Sequence, residues 1–117
     1  MKLQISNQQW RLRIDEAELQ RVRDGHGAVS VSVLPDSSEL RIVLELAHTT
    51  DASVERVGDT WTFILPAADV DAYVQRLPCR DGMNFSFPVR TDFVLQLVFE
   101  VDVRDSVRHR GVVPRRH

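Results

Sequence analysis

The chain has 117 residues, with 15 Lys and Arg against 17 Asp and Glu, one cysteine and a formal net charge of −2. This length suits one domain with an ordinary core, and 43% hydrophobic against 27% charged content excludes a disordered chain. No apolar run is long enough to span a bilayer, no secretory signal follows Met1, and the lone Cys79 cannot form an internal disulfide. We therefore expect a cytoplasmic protein with no membrane partner.

The first half of the chain predicts a hairpin, a helix and a second hairpin. Apolar and polar residues alternate in each strand, as in strands that bury one face. Asp15 fits the N-cap of the helix, and Glu18 follows at the spacing of a capping box. The strands are predicted at residues 3–5, 10–14, 29–33 and 40–46.

The second half predicts the same elements in the same order. Pro66 suits the start of a helix, where its missing N–H costs nothing. Apolar residues then recur at 70, 73, 74 and 77, which is one helix face. The strands are predicted at residues 54–57, 61–65, 83–87 and 93–103.

The two halves also resemble each other in sequence. The segment at residues 10–14 (WRLRI) matches residues 61–65 (WTFIL) at an offset of 51. We therefore predict an internal repeat, residues 3–46 and 54–103, with the order β-β-α-β-β and a pseudo-twofold axis. The predicted fold is a single α+β domain at residues 1–103. It is mainly antiparallel, with about eight strands in a curved sheet or barrel and two helices.

Positive charge is concentrated at the C-terminus. Residues 104–117 hold five Arg and one Asp, a local charge of +4, and the other 103 residues carry −6. Gly111 and Pro114 interrupt any regular period, so this segment is predicted to be a basic, flexible tail. Nucleic acid is not expected as a partner except through residues 104–117.

Two segments carry a family resemblance. The opening Met1-Lys2-Leu3-x-Ile5 continues as R-L-R-I-x-x-x-E-L at residues 11–19, and Thr91-Asp92-Phe93-Val94 lies near the last strand. This pattern resembles a family of short, uncharacterised bacterial proteins, and it covers most of residues 1–102. The resemblance implies a fold and a bacterial source but no activity.

An alternative reading is a barrel that binds polyphosphate or a nucleotide, or a phosphohydrolase. A repeated strand-strand-helix barrel is similar to triphosphate-tunnel enzymes, although their first-strand signature Glu-x-Glu-x-Lys is missing here. Multiple Arg side chains on adjacent strands could hold phosphate oxygens, and acidic neighbours could hold Mg²⁺. The candidate ligand face consists of Arg11, Arg13, Arg41, Glu45, Glu100 and Asp102, with Lys2 and Arg56 as further inward candidates.

No catalytic, metal or nucleotide motif is present in the sequence. The four histidines are scattered, and Cys79 lacks an identifiable base. The first expectation is therefore a small binding or accessory module without catalytic activity, cofactor or metal. A protein partner or a homodimer would suit such a module, and the long strand at residues 93–103 could pair with a second chain if it lies at a sheet edge.

Overall fold

A computed structural model describes residues 1–111, which form eight strands and three helices. The fold is α+β with mainly antiparallel strands, which confirms the coarse prediction. In chain order the elements are β1 (Lys2–Ser6), β2 (Gln9–Ile14), α1 (Glu16–Arg23), β3 (Ala28–Val33), β4 (Glu39–Ala47), β5 (Ser53–Val57), β6 (Thr60–Pro66), α2 (Ala67–Val74), β7 (Met83–Arg90), β8 (Phe93–Val101) and α3 (Val103–Arg110).

The strands of residues 1–111 form two separate sheets and not one closed barrel. Sheet I has the order β1-β2-β8-β7, and sheet II has the order β3-β4-β6-β5. Each sheet consists of two antiparallel hairpins that join through a central parallel pair, β2 with β8 and β4 with β6. The barrel alternative is therefore wrong. Helix α1 connects sheet I to sheet II, and α2 connects sheet II back to sheet I.

The two sheets share one core between their inner faces. The ring of Trp10 on sheet I lies 6.0 Å from that of Phe63 on sheet II, and Phe63 lies 5.7 Å from Phe87. Trp10 and Trp61 are partly buried and pack against this core.

Local sequence determines how the first helix begins. The Asp15 carboxylate accepts a hydrogen bond from the Glu18 backbone N–H at 2.7 Å, and the Glu18 carboxylate accepts one from the Asp15 backbone N–H at 3.1 Å. This reciprocal pair confirms the predicted capping box.

The second helix is connected to sheet I through a buried tyrosine. Tyr73 is fully buried, its ring lies 5.9 Å from that of Phe99, and its hydroxyl accepts the Val101 backbone N–H at 3.1 Å. Burial raises the pKa of Tyr73, although the Val101 hydrogen bond opposes the shift. The phenol is therefore neutral and acts as a packing and hydrogen-bonding group.

A third helix replaces part of the predicted flexible tail. Residues 103–110 form α3, whose N-cap Asp102 accepts backbone hydrogen bonds from Arg104 and Asp105. Arg110 binds both carboxylate oxygens of buried Glu16 at 2.7–3.0 Å, which attaches the end of α3 to the start of α1. The prediction of two helices and a tail from residue 104 is therefore wrong for residues 104–110, and residues 112–117 lie outside the described residues.

The contact with α3 also changes the acidity of Glu16. Burial by itself raises the pKa of Glu16, but the hydrogen bonds and the charge of Arg110 favour the ionised carboxylate more strongly. The pKa of Glu16 therefore lies below its ordinary value, and that of Arg110 lies above its own because Glu16 accepts its hydrogen bonds.

Candidate anion-binding groove

The outer face of sheet I carries a groove with a strong excess of positive charge. The groove has a volume of about 540 Å³ and lies where β1, β2 and β8 meet the loop before β7 and the start of α3. Five cationic side chains and two carboxylates line it, a local charge of +3 in a chain of net charge −2. This basic groove consists of Lys2, Arg11, Arg13, Arg80, Glu100, Asp102 and Arg104, together with Val101 and Val103.

Strand alternation places its central charges side by side. Leu12 and Ile14 point into the core, so Arg11 and Arg13 point outward from β2. In the parallel pair of β2 and β8, Arg13 lies directly beside Glu100.

Glu100 is a buried carboxylate held between two guanidinium groups. Its side chain is 8% exposed, and it accepts one hydrogen bond from Arg11 Nη1 at 2.9 Å and one from Arg13 Nε at 2.8 Å. A guanidinium has five N–H donors, and each of these arginines donates one to Glu100. Both side chains remain partly exposed, so their other donors can reach a ligand in the groove.

Like charges also lie opposite each other at the edge of the groove. Lys2 on β1 is the direct antiparallel partner of Arg13 on β2. Such a pair is destabilising by itself, because its side chains are held within a few ångströms. One buried carboxylate therefore compensates only part of the positive charge there.

Asp102 lies in the groove but has a local role. Its carboxylate accepts backbone N–H bonds from Arg104 at 2.9 Å and from Asp105 at 3.3 Å. The Asp105 bond is the main cause that holds the pKa of Asp102 below its ordinary value, with support from the charges of Arg13 and Lys2. This cap fixes the first turn of α3 and so places Arg104 at the edge of the groove.

The structure separates the predicted ligand face into two groups. Arg11, Arg13, Glu100 and Asp102 come together in the groove, and Lys2 joins them. Arg41 and Glu45 lie on β4 in sheet II, so their assignment to the same face is wrong.

Other contacts hold the remaining basic side chains of sheet II. Arg41 pairs with Glu39 at 3.6 Å. Arg56 lies 5.1 Å from the centre of the Trp61 ring and donates a hydrogen bond to the Gly58 carbonyl at 3.0 Å.

Two charged residues of the groove were not predicted. Arg80 comes from the loop between α2 and β7, and Arg104 comes from the segment assigned to the tail. The Asp102-x-x-Asp105 spacing was the available signal for α3, because an Asp at the N-cap with an acidic first turn is a helix start.

A second cavity, of about 570 Å³, lies between α1 and α2 and has the opposite charge balance. Arg23 pairs with Asp71 at 3.4 Å there, and Asp24 and His48 also line it. With two carboxylates against one guanidinium, this cavity does not attract anions.

No family model, curated protein or solved structure matches this chain. The family resemblance seen in the sequence therefore stays a prediction. Within residues 1–111, no helix has the length and apolar character that crossing a bilayer requires. In the same residues, no three His, Cys, Asp or Glu side chains form a group that could hold a metal ion.

Proposed function

We propose that this protein is a small binding module, without catalytic activity of its own, that takes a phosphate-bearing anion in the basic groove of sheet I. The observation that carries this proposal is the charge of +3 in the groove of a chain whose net charge is −2. A concave surface lined by one sign of charge concentrates ligands of the opposite sign.

The donor set favours phosphate among the possible anions. Four of the five cations are arginines, and a guanidinium fork matches two phosphate oxygens at once. Among the residues that the structure describes, no aromatic side chain lines the groove, so these residues offer no ring on which a nucleobase could stack. The groove therefore recognises its ligand through a chain of phosphates, and an attached nucleoside would contribute little to the affinity.

The two carboxylates of the groove support binding more than catalysis. Glu100 accepts hydrogen bonds from two guanidinium groups, and Asp102 accepts them from two backbone amides. A general base must be able to take a proton from the substrate or its attacking water, and both carboxylates are already engaged as acceptors of other donors.

Calorimetric titration with tripolyphosphate and with ATP, in the absence of Mg²⁺, tests the proposal. We expect the two ligands to bind with similar affinity and more weakly as salt is raised. The double variant Arg80→Gln/Arg104→Gln should weaken both by at least about tenfold, since one hydrogen bond to a charged group contributes about 1.5–3 kcal/mol. Within residues 1–111 neither Arg80 nor Arg104 forms an ion pair with a carboxylate, so the fold should be unaffected.

A matched variant and a gain of affinity complete the experiment. Arg41→Gln/Arg56→Gln removes the same charge from sheet II and should leave binding unchanged. Glu100→Gln removes the internal anion that occupies Arg11 and Arg13, so we expect tighter binding. The proposal fails if neither ligand binds, or if both double variants weaken binding equally, because the affinity would then follow net charge alone.

We also propose that the chain arose by duplication of a β-β-α-β-β unit. Exchange of the two halves would carry sheet I onto sheet II. Trp10 pairs with Leu97 in the central parallel pair of sheet I, and Trp61 pairs with Ile42 in the central parallel pair of sheet II. Glu45 is then the counterpart of Glu100.

The proposed exchange explains why the groove lies on one sheet. Ile64 lies beside Glu45, in the position that Arg13 holds beside Glu100. Thr62 stands in the place of Arg11. The basic residues would therefore have been gained or retained in one half alone.

A further inference from the structure

The four edge strands of the two sheets differ in how they are protected. Charged residues or proline occur on three of them: Lys2 on β1, Arg56 on β5 and Pro88 on β7. Such residues normally prevent one sheet edge from pairing with another. The fourth edge, β3 (Ala28–Val33), has the sequence AVSVSV, with no charge and no proline.

The valines of β3 are exposed at this edge. Val29, Val31 and Val33 alternate with Ser30 and Ser32, and all three valines have exposed side chains. Beta-branched residues stabilise a sheet through contacts with a neighbouring strand, and within residues 1–111 β3 has such a neighbour on one side only.

The backbone N–H and C=O groups of these valines point away from the sheet. The Leu34 N–H donates to the Ser38 carbonyl at 2.7 Å, and this pair begins the ladder between β3 and β4. Because hydrogen-bonded and non-hydrogen-bonded pairs alternate, the N–H and C=O groups of Val29, Val31 and Val33 face outward. The backbone of Arg41, which lies opposite Val31 on β4, supports this orientation. Its N–H donates to the Asp59 carbonyl on the other side of β4 and therefore not to Val31.

We infer that a second copy of this chain pairs with β3 as an antiparallel strand, on a two-fold axis through Val31. In this register Val31 faces Val31 of the second copy, and Val29 faces Val33. Every outward N–H then meets an outward C=O, which gives about six hydrogen bonds between the chains. Serines face serines on the other side, and no charge faces a like charge.

This pairing is specific to a second copy of the chain, because both strands must carry valines at the same spacing. A shift by two residues would leave one valine of each chain without a partner. Six residues of strand pairing lie at the small end of protein interfaces, below about 1,200 Å² in total. The dimer is therefore weak, and it forms as the concentration of protein rises.

Sedimentation equilibrium across a wide range of protein concentration tests this inference. The native chain should shift from monomer to dimer as the concentration rises. Val31→Lys and Val31→Glu should each stay monomeric, because residue 31 faces itself across the axis. An equimolar mixture of the two variants should form a heterodimer, since lysine then faces glutamate.

The control is Val57→Lys on β5, which is 78% exposed against 45% for Val31 and should leave the dimer intact. Unchanged thermal unfolding of the Val31 variants would show that they are folded. A native chain that stays monomeric at every concentration would overturn the inference, as would a dimer that survives Val31→Lys. The inference stands independently of the anion groove, because β3 lies on the other sheet.

Discussion

The ion pair between Arg110 and Glu16 offers a sharp test of how α3 is held. The Glu16 side chain is 3% exposed and Arg110 is 29% exposed, and two guanidinium nitrogens contact both carboxylate oxygens. Arg110→Ala would leave a buried carboxylate without its cation. Breaking a buried pair in this way costs about 3–5 kcal/mol, and the partial exposure of Arg110 places the expected loss at about 3 kcal/mol.

Arg108 on the same helix provides the matched control. It pairs with Asp105 at 3.5 Å and is 77% exposed, so Arg108→Ala should cost less than about 1 kcal/mol. Both variants lose one arginine from α3 and gain one alanine, so helix propensity and net charge change equally. A clearly larger loss of stability in Arg110→Ala than in Arg108→Ala therefore reports the contact with Glu16.

Thermal unfolding and hydrogen exchange give the two readouts. A loss of about 3 kcal/mol should lower the Tm of a domain of this size by about 10 °C, and Arg108→Ala should change it little. If α3 instead detaches locally, the exchange of its backbone amides should accelerate before global unfolding. Equal Tm values and equal exchange rates for the two variants would refute the argument that Arg110 holds α3 in place.

Three further predictions concern the acidity of Glu16, the hydroxyl of Tyr73 and the face of sheet II around Glu45. The pKa of Glu16 is lower in the folded protein than in the unfolded chain. Its contribution to stability is therefore present above the unfolded value of about 4.3 and is lost as pH falls through the folded pKa. When the unfolding free energy is followed into acid, Glu16→Gln should lack this part of the loss. Tyr73→Phe leaves a buried β8 backbone N–H unpaired and should cost about 1–3 kcal/mol in urea unfolding. If the halves are equivalent, Thr62→Arg/Ile64→Arg beside Glu45 should add a second, weaker phosphate site, seen as a higher calorimetric stoichiometry.

Each of these predictions has a contrary result. An unchanged acid profile in the Glu16 variant would show that the carboxylate is not stabilised by its contacts. A loss near zero for Tyr73→Phe would mean that the N–H finds another partner. A stoichiometry of one in the double arginine variant would count against the equivalence of the two faces.

Part of the candidate site was visible in the sequence because it depends on strand alternation. Arg11 and Arg13 alternate with buried residues on one strand, so their shared outward face follows from the period of two. Glu100 alternates in the same way on β8. Which strand lies beside which does not follow from alternation, and Arg41 and Glu45 were misplaced for this reason.

Pairing of residues 93–103 with a second chain was expected only if that strand lies at a sheet edge, and this condition is not met. That segment is the longest alternating run in the chain, but β8 lies between β2 and β7 and so has partners on both sides. The edge strand without charged residues or proline is the shorter β3. Edge or centre is a property of sheet order, which depends on contacts between residues that are distant in the chain.

The sequence by itself determined the local elements of this protein. Patterns of apolar residues and turn signals predicted the eight strands, and the Asp15–Glu18 spacing predicted the first helix start, because these signals arise between residues a few positions apart. Only the tertiary structure decided that the strands form two sheets with parallel centres, that Arg110 of α3 binds Glu16 of α1, and that Arg80 and Arg104 complete the groove. Those outcomes depend on burial and charge pairing between distant segments, which no local period encodes.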